Sequence, residues 1–105
     1  MKSIIQTDKK CYFLSSGGCG TDYNLHSHHV FYGTANRKIS EKYGLKVFLC
    51  ARHHNMSREG VHFNRQKDIE LKQSIQKIAM EHYNWSEADF IKIFGRNYIG
   101  VDYGF

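Results

Sequence analysis

Four of the seven histidines in this chain stand in two adjacent pairs, His28-His29 and His53-His54, and Cys50 precedes the second pair at Cys-x-x-His spacing. Imidazole is the commonest metal ligand among side chains, and its protonation changes nearest to neutral pH. Two such pairs brought together can supply metal ligands and a general base in one small site. Cys50 and His53 have the spacing of half a tetrahedral zinc site. The other half must come from upstream, where Cys11 and Cys19 are the remaining cysteines. Their Cys-x7-Cys separation is wider than the usual knuckle. Ser15, Ser16, Gly17 and Gly18 between them give the loop freedom to double back. The alternative is that Cys19 is a free thiol and the site is absent or three-coordinate.

The elements that must position these residues can be read around them. Residues 25–32 alternate as a strand, with His26, His28 and Val30 on one face and Leu25, Ser27 and His29 on the other. Residues 45–49 form the second strand candidate. Residues 50–58 then turn into a short helix with His54 on its first turn. Between the strands, residues 33–44 open as a turn and continue as a short helix capped by Asn36 or Ser40 and ended by Gly44. Upstream, residues 3–6 read as a short strand and residues 11–19 as a turn-rich loop. Downstream, residues 60–64 read as a connecting loop. Leu71, Ile75, Ile78 and then His82 or Tyr83 recur at steps of three and four, which predicts a helix over 68–83. A second helix starts at Ser86, with Asp89 three residues on, Phe90, Ile93 and Phe94 as its buried stripe, and Gly95 as its stop. The aromatic tail, residues 97–105, covers part of the core.

The 105 residues suffice for a single α+β domain, 1–105, with one modest core. A zinc-stapled portion would span about residues 8–64 and a helical portion about 66–105. A hydrophobic fraction of 41% excludes a disordered chain. Domains this small often need a staple, and three cysteines with a Cys-x-x-His spacing favour thiolate–zinc bonds in a reducing compartment over disulfides. The opening residues carry no apolar run of signal-peptide length, and nothing approaches a membrane span, so the expected location is the cytoplasm with no membrane partner. A net charge of +5 and a pI near 9.2 favour a polyanion such as nucleic acid, with a solvated basic surface as the plain alternative.

These segments together (Cys11, LHSHHVFYGTANRKISEKYGL, VFLCARHHNMSREGVHFN and FIKIFGRNY) resemble the small HNH-type, ββα-metal, treble-clef endonuclease-like proteins of bacterial prophages. The resemblance covers nearly the whole length. It implies a treble-clef HNH core with a zinc knuckle, followed by two C-terminal helices. In that group the first cysteine pair is usually Cys-x-x-Cys; Cys19-Gly20 fits the second cysteine's place, and Leu14 stands where a tight pair would put it. On this reading Cys11, Cys19, Cys50 and His53 hold a structural Zn²⁺.

The resemblance further implies that His28 and His54 hold a catalytic divalent cation, Mg²⁺ or a transition metal such as Mn²⁺, Ni²⁺ or Zn²⁺. His29 is then the general base for phosphodiester hydrolysis in DNA. The asparagine that orients the base in this group should lie just before the second strand, where Tyr43, Gly44 and Leu45 stand. Asn36 or a backbone carbonyl is the substitute. A flat strand would send His28 and His29 to opposite faces, so the resemblance requires a distorted strand end. Arg37, Lys38, Arg52, Arg58 and Arg65 are candidates for backbone phosphates, and His62 for phosphate or the metal shell. His26 reads as a strand surface residue and His82 as a helix residue at a core edge. The competing expectation is a non-catalytic zinc-stapled module that grips nucleic acid or a phage or host protein, for example in counter-defence. Breaking both strands from one site would require a homodimer or two successive cuts.

Overall fold

The computed structural model describes residues 2–6, 9–12, 24–54 and 64–104. Within them, two strands and four helices follow in the order β1 (Leu25–His29), α1 (Thr34–Tyr43), β2 (Lys46–Cys50), α2 (Ala51–His54), α3 (Arg65–Tyr83) and α4 (Glu87–Phe94). The strands pair antiparallel, with Leu25 opposite Cys50, His28 opposite Val47 and His29 opposite Lys46. The α+β class and the two C-terminal helices expected from periodicity are present. None of the described helices is long and apolar enough to cross a membrane.

Helix α1 fills the connection between the strands. Neither Asn36 nor Ser40 caps it. Its N-cap is Gly33, which makes no side-chain cap bond. Ser40 is instead fully buried and clasps the chain leaving β1, its hydroxyl donating to the carbonyl of Phe31 at 2.6 Å and accepting from that residue's N–H at 3.2 Å. Gly44 ends the helix in the left-handed conformation, φ 69°. A Cβ there would lie 2.5 Å from the Lys2 carbonyl oxygen, so this position requires glycine twice over, for its backbone angle and for its neighbour.

Residues 3–6 do not form the expected strand. The hydroxyl of Ser3 takes the N–H groups of Ile5 and Gln6, a local turn that competes with extended pairing. The segment still covers the outer edge of β2. Ile4 donates to the Gly44 carbonyl at 3.0 Å, Ser3 donates to that of Lys46, and the Gln6 side chain accepts from Phe48 N–H at 2.8 Å. The Phe48 carbonyl receives Tyr12 N–H at 2.8 Å, which brings Cys11 beside the sheet, buried in the core. An otherwise open strand edge is thereby occupied.

Helix α3 begins three residues before the expected start, because Asn64 caps it by accepting from Lys67 N–H at 3.1 Å. Its buried face carries Ile69, Leu71, Ile75 and Ala79, but also Asp68, Lys72 and Gln76. His82 is exposed and rests against Tyr83, away from the core edge expected for it. Helix α4 has the reciprocal capping box between Ser86 and Asp89 that its sequence announces. Phe31 is the hub of the core, with ring centroids 5.2 Å from Phe90, 4.7 Å from Phe94 and 5.5 Å from Tyr98. The tail does cover the core. Gln76 accepts from Tyr98 N–H at 2.9 Å and donates to Asn97 at 2.7 Å, seating the chain after α4 on α3.

Candidate functional site at the end of the sheet

A cavity of about 1010 Å³ opens where β1 ends. His28, His29 and His54 border it, with Arg37, Lys38 and Glu41 from α1. The two neighbours in sequence reach it differently. His28 is buried, 3% exposed, and its ring lies 5.2 Å from that of His54 and 5.8 Å from that of Tyr32. His29 takes its contact from α1, its Nε2 lying 3.3 Å from Glu41 Oε1. The strand is regularly paired through His29, opposite Lys46, rather than distorted. Both imidazoles still border one cavity because the strand stops there and the space beyond its end is open to either face.

His54 comes from the single turn of α2, directly after β2. Its Nδ1 lies 2.8 Å from His26 Nδ1, with ring centroids 5.0 Å apart. His26 is therefore a partner of the site and not a strand surface residue. Only one of two facing ring nitrogens can carry the shared hydrogen. When His54 is the donor, its Nε2 keeps a lone pair for a cation, which is how ligating imidazoles are commonly held by a second layer of groups. Nothing in the local sequence announces this contact beyond the i, i+2 spacing of His26 and His28 on one strand face.

Beside His28, Tyr32, itself 38% exposed, joins a buried pair, Asp68 and Lys72. Tyr32 donates to Asp68 Oδ2 at 2.8 Å, Lys72 Nζ lies 2.9 Å from the same oxygen, and that ammonium sits 4.0 Å from the centre of the Tyr32 ring. Burial first, and the Asp68 charge second, push the Tyr32 phenol well above its usual range, so its hydroxyl is a fixed donor. Asp68 and Lys72 are 6% and 8% exposed, and each needs the other at that depth.

Glu41 is the site residue that the sequence reading missed. Its Oε2 accepts from Lys46 Nζ at 2.7 Å while Oε1 faces His29. Hydrogen bonds, the largest of them from Lys46 and a lesser one from His29, hold its carboxyl down at about 2. One signal was available, since Glu41 is the sole carboxylate between Asp22 and Glu59. Asn36 is engaged away from His29: its amide donates to the Phe94 carbonyl at 3.4 Å and ties α1 to α4.

Arg37 and Lys38 line the cavity and are exposed on α1, as phosphate contacts would be. Arg65 opens α3, its guanidinium 5.7 Å from the Tyr103 ring centre. Arg52 and His53 stand in α2. Cys19, Arg58 and His62 lie outside the described residues. Cys11 and Cys50 are both buried in the core. Among the described residues, no group of three or more histidine, cysteine, aspartate or glutamate side chains is placed to hold a metal ion. What the described site offers a cation is thus a pair of imidazoles, His28 and His54, with His26 behind. Such nitrogen donors suit transition metals better than Mg²⁺.

Compared with known proteins, the chain matches no family model, and neither a curated protein nor a solved structure matches it.

Proposed function

We propose that this chain is a metal-dependent endonuclease of the HNH type, hydrolysing phosphodiester bonds in DNA, of the kind carried by prophages. The observation that carries the reading is the single cavity bordered by His28, His29 and His54, with Arg37 and Lys38 at its rim. His28 and His54 would hold a divalent cation, which when bound neutralises charge developing on the phosphate. His29 removes the proton from the attacking water. Arg37 and Lys38 position the backbone by its charge without reading bases. Cys11, Cys19, Cys50 and His53 would hold a structural Zn²⁺, supported by the Cys-x-x-His spacing and by the burial of both Cys11 and Cys50. Arg52, Arg58 and His62 extend the phosphate contacts. One observation favours a second reading, a non-catalytic zinc-stapled module that binds nucleic acid or a phage or host protein: Asn36, the expected substitute for the orienting asparagine, is engaged with α4.

Supercoiled plasmid incubated with the protein in Mg²⁺, Mn²⁺, Ni²⁺ or EDTA separates the two. Metal-dependent nicking, lowered roughly 100-fold or more by His29→Ala in a variant that stays folded, is the expected result. Equal cutting by both proteins would remove His29 from the mechanism. No cutting of duplex or single strand with any metal would leave the binding module.

A further inference from the structure

Lys46 and His29 form the last cross-strand pair of the sheet, and Glu41, one helix away, reaches both. An ionised carboxylate only accepts hydrogen bonds. The His29 nitrogen that faces it, Nε2 at 3.3 Å, must then be the one carrying hydrogen. A neutral imidazole has a single N–H, so Nδ1 is left with its lone pair. Among the described residues that line the cavity, Glu41 is the sole carboxylate.

We infer that Glu41 is the positioning residue of the general base, holding His29 with hydrogen on Nε2 so that Nδ1 is the atom that takes the proton from water. The inference rests on the nuclease reading and supplies the orienting group that the sequence lacks before β2. As the water oxygen bonds to phosphorus, its proton passes to Nδ1. The phosphorus–oxygen bond to the leaving sugar oxygen breaks with its electron pair, and that oxygen takes a proton from solvent. The imidazolium formed lies against the Glu41 carboxylate, and that charge pair is stronger than the hydrogen bond of the neutral ring, so it favours the transition state over the bound substrate. Lys46, bonded to the other carboxylate oxygen, keeps Glu41 seated.

The test reads the position of the hydrogen directly. Long-range proton–nitrogen correlation spectra of ¹⁵N-labelled protein in Mg²⁺ buffer, recorded where the ¹⁵N shifts show a neutral ring, distinguish the two tautomers. The His29 signals are identified by their loss in His29→Ala. His29 is expected with hydrogen on Nε2, and Glu41→Ala is expected to give a mixture of both forms while circular dichroism stays unchanged. In plasmid nicking, Glu41→Ala should lower kcat roughly 10- to 100-fold with little change in KM, and Glu41→Asp should recover part of it. Hydrogen on Nδ1 in the unmodified protein, or an Nε2–H form that persists in Glu41→Ala, would overturn the inference. A Glu41-dependent tautomer in a protein that cuts nothing would uphold the positioning and overturn the nuclease reading, so the two failures are distinguishable.

Discussion

His28 and His29 are joined by one peptide bond and served by different parts of the chain, His28 by α2 and Tyr32, His29 by α1. Adjacent side chains on a strand depart in opposite directions, and here that alternation gives the two rings different neighbours. Glu41 also makes a prediction about acid. Its carboxyl sits at about 2 in the folded protein against an ordinary 4.5. Its contribution to stability is therefore present above 4.5 and is lost as pH falls from there towards 2. With 44% of the side chain exposed, solvent screens the pair and the step is small. Glu41→Gln should reduce the loss of thermal stability between pH 5 and pH 2.5, chosen here as about the two sides of that window, in melts followed by circular dichroism; identical profiles would refute the assignment. That His28, His29 and His54 meet was legible because the two strands that lead into them were, and those strands pair. Glu41 was not, because which side chains of α1 face the strand end depends on how that helix is seated, and its seat is set by Ser40 and Gly44.

The elements that were read correctly from sequence are those whose signals are local. Ser86 with Asp89 announced α4, Gly95 its end, and the steps of three and four announced α3. The N-terminal strand failed because a single hydroxyl, that of Ser3, captures two neighbouring N–H groups, a choice that hydrophobic alternation does not register. Three buried polar residues of α3 were hidden for a similar reason, since Asp68, Lys72 and Gln76 find partners in Tyr32, Asn97 and Tyr98 far along the chain. Gly44 is the point where local and distant demands coincide. Gly44→Ala should cost about 1–3 kcal/mol from the backbone angle, and more from the contact with Lys2. Urea unfolding would show this as a lowered midpoint with an unchanged slope. A variant as stable as the parent would mean that residues 2–6 do not rest on the α1–β2 turn.

On the scale of the whole molecule, Arg37 and Lys38 place two of the chain's cations at the cavity border, while the sheet's far edge is covered by the N-terminal segment. If DNA crosses that cavity, removing both cations with Arg37→Ala and Lys38→Ala should lower the slope of log binding constant against log salt by about 1.8 on duplex. Fluorescence anisotropy across a salt series would measure it, and an unchanged slope would place the phosphates elsewhere. The segment that covers β2 also bears on how the chain is born. Ile4, Ser3, Gln6 and Tyr12 find their partners at Gly44, Lys46 and Phe48, all made later. During synthesis residues 3–12 must therefore wait for the second strand, and β2, once made, is met by two partners already present on either side.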